Sequence, residues 1–201
     1  MSAVLKDNRI SIEDYLHGEL CSDIKHEYID GYVYAMAGAK LNHDRISKTI
    51  ARKLAEHLDD SPCEVFGQDI KVYVSEAKFF YPDVMVICNH EEGSQDYIEK
   101  PLLIVEVLSD STQDKDRTVK RLAYQSLPSL QEYVLIAQDF VEVEVSRRSL
   151  GWKSEHYFLG DEVFFESLDL KLPVLDIYRR VDNRELQEFF QNRDPATVAF
   201  E

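Results

Sequence analysis

One acidic residue interrupts an otherwise apolar segment of the chain. Residues 102–108 read LLIVEVL, in which Glu106 is the single polar member. A continuous apolar run of this kind is typical of a strand that is buried on both faces. Because an unpaired carboxylate in the interior is costly even after relaxation, a proton, a basic side chain or a metal ion must neutralise Glu106. A structural salt bridge and a functional site are both open at this point.

A second carboxylate stands where another predicted strand begins. Asp83 follows Pro82 in YPDVMVIC, and a side chain at such a position can point from the end of a sheet into a cleft. A solvated aspartate at a strand end is the alternative. Together, Asp83 and Glu106 would give a cation two hard oxygen ligands. Mg²⁺ commonly takes one or two protein carboxylates, with water and substrate phosphate completing its shell. The pair therefore indicates metal-assisted phosphoester hydrolysis.

The elements that must position these residues follow from hydrophobic periodicity and turn chemistry. Helices are predicted for residues 11–20, capped by Ser11, for 42–59, capped by Asn42, for 114–127, capped by Ser111 or Thr112, and for 174–181 and 184–191. Strands are predicted at 63–66, 71–74, 83–88, 102–108 and 131–137, with a hairpin over 27–37, antiparallel strands within 141–173 and a loop at 89–101. This order predicts an α/β (α+β) fold with a central mixed β-sheet flanked by helices, an N-terminal hairpin and C-terminal antiparallel strands.

Composition favours one folded domain over residues 1–201. The chain is 44% hydrophobic and 30% charged, so it can build a sizeable core. No apolar run approaches the roughly 20 residues that a membrane span needs, and the N-terminus lacks the layout of a signal peptide. Cys21, Cys63 and Cys88 are widely spaced and form no CxxC pair, which predicts reduced thiols and a cytoplasmic location.

The net charge of −15 acts against binding to nucleic acid, because such affinity comes mainly from Lys and Arg that neutralise phosphates. A local basic surface would have to offset it. The predicted helix 42–59 has a charged outer face, which carries Arg45, Lys48, Arg52, Lys53 and Glu56.

A set of ordered motifs resembles the PD-(D/E)XK nuclease superfamily, and within it the restriction endonuclease-like family called "Uma-two". The motifs are YPDVMVIC, PLLIVEVLSDST, DRTVKRLAY and LQEYVLI, together with HEYIDGYVYAMAG, the helix start NHDRI and GWKS…GDEV. The resemblance runs from about residue 11 to 180 and leaves 181–201 as a C-terminal appendage. It implies a restriction endonuclease-like core and Mg²⁺- or Mn²⁺-dependent hydrolysis of DNA. Asp83 then matches the metal-binding aspartate and Glu106 the acidic member of (D/E)XK.

The chain departs from the superfamily pattern at one position. Leu108 stands where the lysine of (D/E)XK is expected, and in this family Lys120 of the next helix matches the displaced lysine. Asp116, Lys120 and Tyr124 share one helical face because they are spaced four apart. An exposed Asp116–Lys120 pair of little energetic consequence is the alternative. If Lys120 is catalytic, its amine should lie within about 6 Å of the Glu106 carboxylate.

The orientation of this helix is predicted from its apolar residues. Val119, Leu122 and Ala123 are expected to pack against the sheet.

Further residues are candidates for accessory roles. Glu27 and His43 match family positions, and Gln68 and Tyr124 could line or support the cleft, although solvated or structural roles remain open for them. Arg117 and Arg121 are candidates for contacts with phosphates, with a solvated charged face as the alternative.

The resemblance favours a metal-dependent DNA endonuclease. A catalytically silent nuclease-fold module that binds a protein or nucleic-acid partner is the alternative, and hydrolysis of a smaller phosphoester also stays open because a fold does not fix a substrate. DNA is the expected partner, and a homodimer is compatible with the sequence.

Overall fold

The computed structural model describes residues 9–75, 77–89, 94–109 and 112–192. The strands are β1 (His26–Ile29), β2 (Tyr32–Ala35), β3 (Cys63–Gly67), β4 (Lys71–Ser75), β5 (Lys78–Phe80), β6 (Val84–Cys88), β7 (Tyr97–Ile98), β8 (Leu103–Leu108), β9 (Glu132–Ala137), β10 (Val143–Arg147), β11 (Ser154–Tyr157), β12 (Glu162–Phe165) and β13 (Leu170–Pro173). The helices are α1 (Ile12–Cys21), α2 (Leu41–Leu58), α3 (Gln113–Lys115), α4 (Arg121–Gln125), α5 (Val174–Tyr178) and α6 (Arg184–Gln191). A π-helical turn, Asp116–Lys120, joins α3 to α4, and the continuous segment 113–125 is called the lysine helix below.

A mixed sheet forms the centre of the described structure. Its six strands lie in the order β11-β10-β9-β8-β6-β3, in which β8 and β9 are parallel and the other neighbours are antiparallel. Helix α2 packs against one face of the sheet and the lysine helix against the other. The predicted mixed sheet flanked by helices is confirmed.

Alternation along β8 decides which way Glu106 points. The odd-numbered residues of β8 pack with α2, whereas Ile104 and Leu108 pack with Tyr124 of the lysine helix. Because successive side chains of a strand point to opposite faces, Glu106 lies on the side of the lysine helix. The same alternation along β6, where Met85 and Ile87 face the lysine helix, places Asp83 on that side too.

A second sheet carries the N-terminal hairpin, in the order β2-β1-β5-β4-β7. The hairpin turns at Asp30 and Gly31 as predicted, and both have positive φ, of 52° and 93°. This backbone matches the tight turn that Asp-Gly favours, because its twist suits the flanking strands. Strand β5 was not predicted, and β7 lies within the segment predicted as a loop.

The C-terminal part follows the sequence predictions closely. Strands β10 and β11 extend the central sheet, β12 pairs with β13 antiparallel, and α5 and α6 come next along the chain. In the described part of the chain, no helix combines the length and apolar character that a bilayer crossing requires.

Of the predicted helix caps, Asn42 is wrong and Thr112 is confirmed in position. Helix α2 begins at Leu41 with Lys40 as its N-cap, and the side chain of Asn42 instead donates to the carbonyl of Asp182 at 2.8 Å. Thr112 is the N-cap of α3, but within the described residues its side chain makes no capping hydrogen bond. Ser111, the other predicted cap, lies outside the described residues.

The prediction that all cysteines are reduced thiols is wrong for two of them. Cys63 and Cys88 form a disulfide, while Cys21 is free and exposed. The cause is the antiparallel register of β3 and β6, which places Cys63 directly opposite Cys88. The cysteines therefore do not support the predicted cytoplasmic location, which stays a prediction.

The lysine helix is oriented differently from the prediction for Val119 and Leu122, whereas Ala123 packs against the core as predicted. Val119 is 41% exposed and Leu122 is 72% exposed, whereas Asp116 and Lys120 are only 1% and 4% exposed. Tyr124 packs in the core on the same buried face, and its hydroxyl reaches a buried carboxylate. The charged face can turn inward because its ions meet partners there, so partial apolar exposure costs less than leaving those partners unpaired.

Candidate active site

The site is centred on a buried ion pair between two neighbouring elements. The Nζ atom of Lys120 lies 3.0 Å from Oε1 of Glu106, well within the distance that the sequence analysis expects. The hydroxyl of Tyr124 donates to the same carboxylate oxygen at 3.0 Å. Strand β8 supplies the carboxylate, and one face of the lysine helix supplies both donors, because Lys120 and Tyr124 are four residues apart.

Lys120 also contacts two other carboxylates. Its Nζ lies 2.8 Å from Oε1 of Glu27 on β1 and 3.2 Å from Oδ1 of Asp116 on its own helix. The other oxygen of Glu27 accepts a hydrogen bond from Lys115 at 2.8 Å. One buried cation thus joins the hairpin, the central sheet and the lysine helix.

Asp83 faces the same cluster from the strand beside β8. The antiparallel register pairs Val84 with Val105, so the next residues, Asp83 and Glu106, stand opposite each other. Oδ2 of Asp83 accepts the backbone N–H of Val107 at 2.7 Å and lies 3.2 Å from Nε2 of His43. His43 occupies the first turn of α2, so the start of this helix helps to fix the Asp83 carboxylate.

Carboxylates outnumber cations in this cluster. Among the described residues it contains Glu27, Asp83, Glu106 and Asp116, but only two lysines, Lys115 and Lys120. We call these residues, with His43 and Tyr124, the cleft cluster.

Burial and the neighbouring charges together shift the pKa values of Glu106, Asp116 and Lys120. Burial raises the pKa of Glu106 well above its usual range; Lys120 opposes this, while Asp116, Asp83 and Glu27 reinforce it. Burial also raises the pKa of Asp116, again opposed by Lys120. Burial would lower the pKa of Lys120, but Glu106, Tyr124, Asp116 and Glu27 outweigh it and raise the pKa well above its usual range. The cluster therefore holds its lysine charged and would gain from additional positive charge.

The charges of the cluster also shift the pKa values of Glu27 and His43. Burial would raise the pKa of Glu27, but the cations of Lys120 and Lys115 outweigh it and hold the pKa below its usual range. Burial would lower the pKa of His43, but its hydrogen bond to Asp83 and the charge of that carboxylate raise it. His43 can thus act as a cation towards Asp83.

An open cleft of about 680 Å³ reaches this cluster from solvent. Asp83, Glu106 and Lys120 all line it, and Gln68 and His43 contribute to its walls. The segment 35–39, AMAGA, forms an apolar stretch of the lining. The cleft is large enough for an extended anionic group to approach the two opposed carboxylates.

The donor set suits one divalent cation held with help from substrate. In the described ranges, no group of three His, Cys, Asp or Glu side chains is arranged to hold a metal unaided. Mg²⁺ and Mn²⁺ favour carboxylate oxygens, and Mg²⁺ commonly binds through one or two of them while keeping water or phosphate ligands. Asp83 and Glu106, which face each other at the cleft, fit that pattern.

Most of the predicted site residues come together, but the two arginines do not. Arg117 donates to Oε2 of Glu144 at 2.6 Å, and Arg121 bonds to Glu144 and Ser154, away from the residues that line the cleft. Their candidate role as phosphate ligands is not supported by this geometry. The lysine helix presents its arginines to β10 because Glu144 is buried there and needs counter-charges.

The sequence analysis did not predict that Lys115 and Asp116 belong to the site. Lys115 was not singled out, and Asp116 was weighed only as a member of a surface pair. The spacing of Asp116, Lys120 and Tyr124 held the signal for Asp116, whereas Lys115 contacts a partner 88 residues away that no local pattern reveals.

Comparisons with known proteins identify the family of this chain. Residues 12–199 match the model of the Uma2 family, described as "Putative restriction endonuclease", and the match reaches beyond the motifs recognised in the sequence. The uncharacterized protein slr1290 of Synechocystis is 36% identical over 175 residues, 85% of this chain and 92% of that protein. A second uncharacterized Synechocystis protein, sll1609, is 36% identical over 148 residues, 72% of this chain and 84% of that protein.

A solved structure shares the fold. The crystal structure of an Anabaena variabilis protein, described as a "putative nuclease", matches with a TM-score of 0.69 and 18% identity, covering 85% of this chain and 98% of that one. The resemblance proposed from the motifs is thus confirmed, and a nuclease-like role follows at the level of the family. The chain belongs to the Uma2 family of restriction endonuclease-like proteins.

Proposed function

We propose that the protein is a divalent-metal-dependent endonuclease that hydrolyses phosphodiester bonds of DNA. The observation that carries this proposal is the contact of 3.0 Å between Lys120 and Glu106, beside the opposed carboxylate of Asp83, at the base of an open cleft. A carboxylate pair that can hold a divalent cation, with a lysine beside it, is suited to metal-assisted phosphoester hydrolysis.

Asp83 and Glu106 would hold Mg²⁺ or Mn²⁺. When bound, such an ion lowers the pKa of a coordinated water and offsets the charge that develops on the phosphate. The two carboxylates come from adjacent strands, so the sheet fixes their separation before substrate arrives.

Lys120 would orient the attacking water and stabilise the negative charge of the transition state. Its amine stays protonated because three carboxylates surround it, so it acts as a cation and not as a base. A preorganised cation of this kind acts strongly in a site from which water is largely excluded.

His43 and Tyr124 would act as positioning residues. His43 lies 3.2 Å from Asp83, and Tyr124 donates to Glu106 at 3.0 Å, so each proposed metal ligand is oriented by a neighbouring side chain. Partners of this kind fix the direction of a ligand's lone pairs and commonly matter about 10–100-fold for metal affinity or activity.

The test is nicking of supercoiled plasmid DNA by the purified protein with Mn²⁺ and with Mg²⁺. We expect relaxed and linear DNA with either ion, and none when EDTA is present. Asp83→Asn should abolish nicking, whereas Asp161→Asn, an exposed aspartate away from the cleft lining, should nick like the wild type.

Two results would contradict the proposal. Nicking that persists in Asp83→Asn would show that the cleavage does not depend on the proposed metal site. Intact plasmid in every arm, with a correctly folded protein, would favour the catalytically silent nuclease-fold module instead.

A further inference from the structure

A basic groove lies between α2 and α5, apart from the cleft. It encloses about 470 Å³ and is lined by Asp44, Arg45, Lys48, Thr49, Arg52, Lys53, Asp176, Arg179 and Arg180. We propose that this basic groove binds the phosphate backbone of duplex DNA next to the bond that is cut. The inference rests on the proposed function and adds where an acidic enzyme holds its substrate.

Charge is the first argument. Six of the lining residues are cations and two are carboxylates, whereas the whole chain carries −15. Non-specific affinity for DNA comes mainly from cations that neutralise phosphates and release counterions. A locally positive concave surface on a strongly negative protein is therefore the place where a polyanion would be drawn in.

The ion pairs within the groove leave its cations able to bind phosphates. Asp176 serves two cations, at 2.8 Å from Lys53 and 3.6 Å from Arg179. Lys48 pairs with Asp44 at 2.8 Å and Arg52 pairs with Glu56 at 2.6 Å, and 77% and 57% of the two cationic side chains are exposed. Such exposed pairs are worth little, so phosphates can compete for the cations at small cost.

Two arginines are more available still. Within the described part of the chain, neither Arg45 nor Arg180 has a carboxylate at ion-pair distance, and Arg45 donates only to the amide oxygen of Asn42, at 3.0 Å. Guanidinium groups match phosphate geometry with two parallel donors. They are the residues expected to contact backbone oxygens.

Position is the second argument. Helix α2 contributes to both places, because His43 lines the cleft and Asp44, the next residue, lines the groove. From Asp44 to Lys53 the helix extends for about 13 Å at about 1.5 Å per residue. A duplex carries one phosphate per about 3.4 Å of axis on each strand, so this length accommodates about four phosphates.

The test is binding of a fluorescein-labelled DNA duplex in EDTA, where cleavage is suppressed, measured by anisotropy over a series of salt concentrations. We expect Arg45→Ala/Arg180→Ala, which removes the two arginines that lack an ion-pair partner among the described residues, to weaken binding about tenfold at low salt. The slope of log affinity against log salt should fall by about 1.8, because about 0.9 is lost for each phosphate contact.

The matched control is Lys153→Ala/Lys171→Ala, which removes the same charge from exposed lysines outside the groove. It should bind like the wild type. The inference is overturned if the groove variant binds as tightly as this control, or if the wild type shows no salt-dependent binding. Plasmid nicking by the wild type in Mn²⁺ is scored separately, so the proposed function can stand while the groove fails.

Discussion

Two buried glutamates on neighbouring parallel strands have opposite surroundings. Glu132 begins β9, where Oε1 accepts from Nε of Arg147 at 3.1 Å and from the backbone N–H of Glu166 at 3.1 Å. Its Oε2 accepts from the backbone N–H of Ser167 at 2.9 Å and from the hydroxyl of the same residue at 2.5 Å. Arg147 ends β10, and Glu166 and Ser167 lie in one 3₁₀ turn between β12 and β13, so the charge of Glu132 is met by donors from two ordered segments.

Glu106 on β8 depends on a shared cation instead. Lys120 and Tyr124 donate to its Oε1, but Lys120 is also divided between Glu27 and Asp116, and burial raises the pKa of Glu106. The two glutamates suggest a way to distinguish structural from functional carboxylates in a protein core. A structural carboxylate accepts most of its hydrogen bonds from donors that serve no other acid. A functional carboxylate competes with other carboxylates for the same cation and lines a cleft.

The largest expected effect is on stability at the structural carboxylate. Glu132→Gln removes the charge opposite the buried Arg147 and turns an amide N–H₂ towards the donors of Ser167. Because Arg147 keeps Glu155 as a partner, breaking this buried pair should lower the free energy of unfolding by about 3 kcal/mol, the lower end of the usual range. Urea unfolding followed by circular dichroism measures the change.

The matched control for Glu132→Gln is the same substitution at Glu106, the carboxylate proposed to be functional. Glu106→Gln relieves repulsion from Asp83, Asp116 and Glu27, so in EDTA its unfolding free energy should equal or exceed that of the wild type. A loss as large as that of Glu132→Gln would break the comparison and make Glu106 a structural residue.

The next effect is on turnover. Lys120→Met should reduce nicking by about 10²–10³-fold, as expected when one preorganised group that stabilises transition-state charge is removed. Metal binding, followed as a shift in melting temperature, should persist because Asp83 and Glu106 remain. Adding Leu108→Lys restores the superfamily position and is expected to recover part of the rate if the buried site admits the charge. Nicking by Lys120→Met at the wild-type rate would exclude the displaced lysine.

A smaller effect concerns the metal. Mn²⁺ at about one hundred times its dissociation constant should stabilise the fold by about 2.7 kcal/mol, because only the native state brings Asp83 and Glu106 together. Thermal melts with and without Mn²⁺ measure it. Asp83→Asn should lose this response, and an equal shift in that variant would remove Asp83 from the site.

The smallest expected effect is the contribution of Glu144 to the free energy of unfolding at acid pH. Burial would raise the pKa of Glu144, but its bonds to Ser154 and Arg121 and the charge of Arg117 lower it. A lowered folded-state pKa contributes stability above the unfolded value, and this is lost as pH falls through the folded value. The stability advantage of the wild type over Glu144→Gln should thus be constant above about pH 5 and shrink below about pH 4. An advantage that stays constant down to pH 3 would contradict this reading.

Local patterns could predict the centre of the site. Glu106 is visible because one acid stands in an apolar run, and the Asp30-Gly31 turn is visible because few residues accept its backbone. The common face of Asp116, Lys120 and Tyr124 follows from spacing alone.

Long-range pairing explains what could not be predicted. The orientation of the lysine helix depends on which ions its charged face meets, and Glu27, the partner of Lys115, lies 88 residues away. The disulfide of Cys63 and Cys88 likewise depends on the register of β3 and β6. Apolar patterning alone therefore pointed Val119 and Leu122 inward, where the structure exposes them.

The most direct measurement is anomalous diffraction from a crystal of the protein soaked in Mn²⁺. It tests whether Asp83 and Glu106, which have too few neighbouring cations to neutralise them, form the metal site. We expect an anomalous peak between the carboxylates of Asp83 and Glu106, with Lys120 beside it. A peak elsewhere, or a fully soaked crystal with no density between these two side chains, would contradict the account.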